Sequence, residues 1–196
     1  MRFGLPALAI LLLVPTRAAA EWQIKPFFGV LFSGATTLID SENGSGHPHV
    51  VFGVSGMWLG EVIGIDADLG YARGFFQSGD QNLVAGSSAT TLTGNIVIAL
   101  PRRLARYTLR PYIVGGAGLM HASIAHGPFG SGLDIATTLP AMDVGGGVTG
   151  FLSNRIGLSW EVRYFGSLGQ GQNSGLSIGP EQLSFWRANM AIAIRY

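Results

Sequence analysis

The stretch Ile63-Gly64-Ile65-Asp66-Ala67-Asp68-Leu69-Gly70-Tyr71-Ala72-Arg73 decides how the rest of the chain is read. Ile63, Ile65, Ala67, Leu69 and Tyr71 alternate with Gly64, Asp66, Asp68 and Gly70. Successive side chains of a strand point to opposite faces, so this segment has one bulky apolar face and one small, acidic face. A soluble sandwich buries the bulky face and covers the other with Lys and Glu. Two glycines and two aspartates make a poor solvent face. They suit the crowded interior of a closed sheet whose apolar side is turned outward.

Seven further segments carry period-2 alternation between turn-rich breaks. They run from Trp22 to Ser33, Val50 to Leu59, Thr91 to Leu100, Leu109 to Ser123, Ala141 to Leu152, Arg155 to Phe165 and Leu183 to Tyr196. In nearly all, the large residues share one face. Trp22, Ile24, Phe28, Val30 and Phe32 do so in the first, and Ile156, Leu158, Trp160, Val162 and Tyr164 in the seventh. The fifth is glycine-rich and alternates weakly; Tyr112 and Val114 are assigned to its outer face. The expected lipid-facing set includes Trp22, Phe28, Ile65, Leu69, Ile96, Ile98, Leu158, Val162, Ile192 and Ile194. The expected fold is all-β: an eight-stranded, antiparallel, up-and-down transmembrane β-barrel. Segment lengths match the roughly 9–11 residues that cross a bilayer at a tilt.

Composition agrees. Of 196 residues, 47% are hydrophobic, only 12% are charged and thirty are glycine. Soluble domains carry about 25% charged residues. The chain has no cysteine, which removes disulfides, thiolate metal sites and a lipid-anchoring cysteine. Residues 1–20 have the form of a signal peptide: Arg2, an apolar run from Phe3 to Val14, and Ala18-Ala19-Ala20 before Glu21. That run is shorter than the roughly 20 residues of a spanning helix. The barrel domain is then 21–196. Without Arg2 and Arg17 the formal charge of +1 becomes −1, so no basic excess points to nucleic acid.

Connections alternate in length. Segments 34–49, 74–90, 124–140 and 166–182 are long and polar, whereas 60–62 and 153–154 are tight and 101–108 is intermediate and basic. This is the pattern of an even-stranded barrel with periplasmic ends and four long external loops. His47 and His49, Phe75, Phe76 and Asp80, and Phe129 and Asp134 fall in those loops. If the protein does more than occupy a membrane, the loops are where its recognition is expected.

The stretches Asn95-Ile96-Val97-Ile98-Ala99-Leu100-Pro101, Arg110-Pro111-Tyr112-Ile113-Val114-Gly115-Gly116-Ala117-Gly118, Gly145-Gly146-Gly147-Val148 and Gly157 to Phe165 resemble the small outer-membrane β-barrel domains of the OmpA-like and OmpX-like group. The resemblance covers most of residues 21–196. It implies an outer-membrane barrel and brings no catalytic residue. It departs from full-length OmpA proteins in lacking their peptidoglycan-holding periplasmic domain. It further implies that the last strand, with Ile192, Ile194 and Tyr196, is read by the outer-membrane insertion machinery. The expected surroundings are outer-membrane lipid and lipopolysaccharide, and a monomer is expected.

The polar faces hold Lys25, Asp66, Asp68, Asp143, Glu161, Arg163, Arg187 and Arg195. An eight-stranded barrel is narrow enough for side chains to fill it. Charges buried there must pair, so the reading is a salt-bridged plug rather than an ion path. No catalytic, cofactor or metal residues are expected. His47 and His49 lack the Cys or carboxylate partners of a metal site. Two alternatives stay open. One is a lipid-modifying enzyme of the lipid A deacylase type, because His121-Ala122-Ser123 has an H-x-S arrangement. Against it, no Asn follows Ser123, no clear Glu follows on the next strand, and the assigned parity turns the pair inward. The other is a soluble periplasmic barrel holding an apolar ligand.

Overall fold

The computed structural model describes residues 20–36, 49–74, 84–105, 109–126, 135–168 and 183–196. Eight strands follow in order: β1 (Glu21–Thr36), β2 (His49–Leu59), β3 (Ile63–Arg73), β4 (Val84–Ala99), β5 (Leu109–His126), β6 (Ile135–Phe151), β7 (Ile156–Ser167) and β8 (Leu183–Arg195). Each pairs antiparallel with its sequence neighbours, and β1 pairs with β8 to close the barrel. Closure matters energetically, because it leaves no row of unpaired backbone groups. At the seam the Tyr196 amide donates to the Trp22 carbonyl at 3.0 Å.

The alternation expected in β3 runs its whole length, with every even residue from Gly64 to Ala72 buried. Large apolar residues cover the outside. Phe28 is 59% exposed, Ile65 56% and Ile96 61%. Of the ten residues assigned to the outer face, eight are exposed; Leu158 and Ile194 are half-buried there.

All the tight connections lie at one end of the barrel, together with the start of β1 and the end of β8. The Gly60 amide donates to the Ile63 carbonyl at 3.0 Å, and the Leu152 amide to the Ile156 carbonyl at 3.0 Å. β4, β5 and β6 extend furthest at the opposite end, at 16, 18 and 17 residues against 11 for β2 and β3. Gly74 follows β3 at φ 76°, a left-handed conformation natural to glycine, and its amide donates to the Ser87 carbonyl at 2.7 Å. His49 opens β2 rather than lying in a loop. His47, Phe75, Phe76, Asp80, Phe129 and Asp134 lie outside the described residues, as do residues 1–19 and most of the four long connections.

β5 corrects the sequence reading. Tyr112 and Val114, assigned outward, point into the barrel and are 6% and 3% exposed. Ile113 is the outward residue, at 61%. The run Pro111 to Val114 is apolar throughout, and Gly115, Gly116 and Gly118 have no side chain to mark a face. Arg110 sets the parity: it turns inward at the barrel end, and Tyr112 and Val114 share its side. Tyr112 has room because Gly147 stands opposite it in the ladder; a Cβ there would lie 2.7 Å from the Tyr112 hydroxyl.

Candidate functional site

The barrel interior is built in layers. Near the tight-turn end lies an apolar layer of Met57, Leu59, Val97, Ala99, Tyr112 and Val114. Toward the long-loop end lies a larger one that includes Phe27, Leu31, Met120, Leu139, Phe165 and Phe185. Phe165 and Phe185 stack with centroids 5.2 Å apart. Between the two layers sits a polar network to which every strand contributes.

Arg163 of β7 is the hub. Its Nε donates to Glu161 Oε1 at 2.6 Å, Nη1 to Asp143 Oδ2 at 3.1 Å and Nη2 to Asp66 Oδ2 at 2.8 Å. Arg187 of β8 makes a two-pronged contact with Asp68, both bonds 2.8 Å. The same guanidinium stacks on two rings, 4.6 Å from the Phe27 centroid and 4.8 Å from that of Phe165. Lys25 of β1 places Nζ 3.8 Å from Met57 Sδ and 5.0 Å from the Tyr112 ring centre. Tyr112 donates to Glu161 Oε2 at 2.7 Å, Asn95 to Asp66 at 3.3 Å, and Ser55 bonds Asp66 directly. Arg163 and Arg187 are among the most completely buried side chains described.

Of the eight charged residues assigned inward, seven form this network. Arg195 does not. It lies at the tight-turn mouth, where its Nη1 donates to Glu21 Oε2 at 3.1 Å. The internal count is therefore three cations against four acids, not four against four. Burial without pairing costs several kcal/mol per ion, and a network in which each guanidinium holds carboxylates avoids that cost. Glycines admit the two large arginines. A Cβ at Gly70 would sit 2.9 Å from Arg187 Nη1, and one at Gly145 would sit 2.8 Å from Arg163 Cγ.

The mouth holds a second cluster that the sequence reading missed. Glu21 accepts from three arginines: Arg102 of the 101–105 turn, Arg110 at 3.2 Å and Arg195. Arg110 also donates to the Gly60 and Glu61 carbonyls at 2.8 Å each. The available signal was Arg110 sharing parity with a strand's inner face beside a basic turn.

The outer face has its own asymmetry. Above the apolar row Leu69, Leu92, Leu119 lies the row Tyr71, Thr90, His121, Thr138, and above that Arg73, Ser88, Ser123. His121 and Ser123 therefore face outward, which corrects the inward expectation and follows from the β5 parity. His121 Nδ1 lies 2.8 Å from Thr138 Oγ1, a hydroxyl where a hydrolytic triad would have a carboxylate. Across the barrel the same height carries aromatics, with Tyr164 and Trp186 5.3 Å apart and Phe32 beside them.

No family model matches the chain, and no curated protein matches it in sequence. Solved structures do. Neisserial surface protein A superposes with a TM-score of 0.59 at 11% identity, over 88% of this chain and 96% of that one. This chain has the fold of the small eight-stranded outer-membrane β-barrels. Outer-membrane protein OprG of Pseudomonas aeruginosa matches at TM-score 0.56 and 10% identity, covering 92% and 97%. The attachment invasion locus protein Ail of Yersinia pestis matches at 0.51 and 12%, covering 89% and 99%. At such identities the likeness is one of fold.

Proposed function

We propose that the chain is an integral outer-membrane protein: a sealed barrel that anchors long external loops for a structural or surface-interaction role. The observation that carries this is the inversion of the barrel. Trp22, Phe28, Ile65, Ile96 and Ile192 coat the outside, while Arg163 and Arg187 are buried inside. In water that exterior would be a large aggregation-prone patch. In a bilayer it is solvated, and closure pairs every described strand with two neighbours, so no sheet edge is open to lipid. The network and its two apolar layers support a plugged lumen rather than a porin.

In this reading residues 1–20 are removed as a signal peptide, and the last strand is the segment the insertion machinery reads. The protein works as a monomer without a cofactor. The polar rows from Tyr71 to Thr138 and from Arg73 to Ser123 stand at headgroup height, suited to lipopolysaccharide. The lipid-modifying alternative gains an outward His121 and Ser123 but lacks a carboxylate on His121 among the described residues. A soluble barrel for an apolar ligand has the opposite distribution, with charge outside and space within.

The test is fractionation with gel mobility, followed by planar-bilayer conductance. The proposed protein partitions with the outer membrane, migrates differently before and after boiling, and conducts no steady current. A soluble fraction, or a large reproducible single-channel current from the purified protein, contradicts it.

A further inference from the structure

Three guanidinium groups converge on the single carboxylate of Glu21, and a recess of about 830 Å³ opens beside them. Its polar wall holds Glu21, Arg102, Arg155 and Arg195; its apolar wall holds Ile156, Ile194 and Tyr196. A smaller recess adjoins it and shares Glu21, Arg102 and Arg195, while Arg110 lines only the smaller one. The larger volume is within the roughly 300–1,000 Å³ of small-molecule sites.

The charges do not balance. Among the described residues four arginines line the two recesses, and Glu21 is the one acid lining them. Glu61 lies nearby, its carbonyl accepting from Arg110. Counting that side chain and a carboxylate at Tyr196 still leaves cations in the majority. Arg195 and Arg110 are fixed, the first by two bonds to the Asn154 carbonyl at 2.9 and 2.7 Å, the second by the Gly60 and Glu61 carbonyls. Arg102 and Arg155 are exposed and turn toward the recess. Ile156 and Ile194 belong to the apolar coat, so the recess joins a cationic floor to the lipid-facing wall. Cleavage before Glu21 would remove Ala20 from the lining and add an ammonium group at the same place.

We propose that this recess binds the phosphate headgroup of an anionic phospholipid in the periplasmic leaflet, with the acyl chains lying along Ile156 and Ile194. The proposal rests on the membrane reading above, which puts the tight-turn end on the periplasmic side. Arg155 holds the phosphate together with the donors of Arg102 that its bond to Glu21 leaves over, and the Glu21 clasp keeps the floor in shape. A soluble phosphate would use the same cations but gain nothing from the apolar wall.

The experiment reconstitutes the full protein in nanodiscs of phosphatidylethanolamine with a minor share of phosphatidylglycerol, after a heat-dependent mobility shift has verified the folded barrel. Native mass spectrometry then counts retained lipid. Wild type is expected to retain phosphatidylglycerol above its bulk share. Arg102→Gln and Arg155→Gln each lower that retention about fivefold, the equivalent of about 1 kcal/mol per surface arginine. Arg155→Lys restores most of it. Equal retention of both lipids by wild type, or unchanged enrichment in the double variant, overturns the proposal. Displacement of the lipid by millimolar inorganic phosphate overturns the lipid assignment and leaves a plain anion site. Failure to enter nanodiscs at all counts against the membrane reading instead.

Discussion

Val162 and Arg163 are neighbours on β7, and they meet opposite worlds. Val162 is 43% exposed on the outer wall, where its requirement is to be apolar. Arg163 is fully buried, and its guanidinium has assigned partners on β3, β6 and its own strand. The outer wall is specified by composition and the inner wall by identity. Lipid solvates any apolar side chain of reasonable size, so outer residues interchange. The lumen is closed, so each inner side chain must find a particular hydrogen bond or a particular glycine.

Several changes would break that contrast or sharpen it. The largest effect is expected from Arg163→Ala, which strands Asp66, Asp143 and Glu161 in a closed interior. Removing one partner of a buried ion pair costs about 3–5 kcal/mol. Denaturant unfolding of the barrel in lipid vesicles measures it, and a loss under about 1 kcal/mol would mean that water already reaches the network. The outer wall has one forbidden class of change. Val162→Arg should cost about 2–4 kcal/mol, the range for a cation on the lipid face near the midplane. Val162→Leu in the same assay should be close to neutral.

Next comes the glycine that seats Tyr112. Gly147→Val forces a side chain against the ring, and overpacking costs about 1–3 kcal/mol. Pairing it with Tyr112→Ala should recover part of the loss and leave the rest, since a Cβ at Gly147 would also lie 2.5 Å from the Trp160 carbonyl oxygen. The smallest effect is expected at the loops. Replacing 75–83 by a tight turn should leave unfolding and heat-dependent mobility within about 0.5 kcal/mol of wild type, while any surface binding changes.

The same contrast explains what could be read from sequence. The outer wall announces itself by alternation, so β3 was legible along its whole length and β7 as far as Phe165, two residues short of its end, and the barrel class followed. Asp66, Asp68, Glu161, Arg163 and Arg187 were legible as inward because each lies at the parity opposite its strand's apolar stripe. Their pairings were not, since Asp66 and Arg163 stand 97 residues apart and meet only on closure. β5 failed where periodicity fails: Pro111 to Val114 is apolar at every position, and the glycines beyond it are silent. Arg110, whose inward turn at the barrel end fixes the parity, held the answer. Arg195 followed strand parity, yet at the rim a long side chain can leave the lumen for Glu21.

The absence of cysteine allows the two walls to be compared in one experiment. Single cysteines placed inside at Ser55, Thr149 or Ser159 and outside at Ile65, Val162 or Ile192 are probed in intact proteoliposomes with a water-soluble thiol reagent and a lipid-dissolved one. A sealed, inverted barrel predicts that the outer three react only with the lipid-dissolved reagent and the inner three with neither until the barrel is unfolded. Prompt reaction of the inner three with the water-soluble reagent would contradict the sealed lumen. Prompt reaction of the outer three with it would contradict the membrane-facing wall.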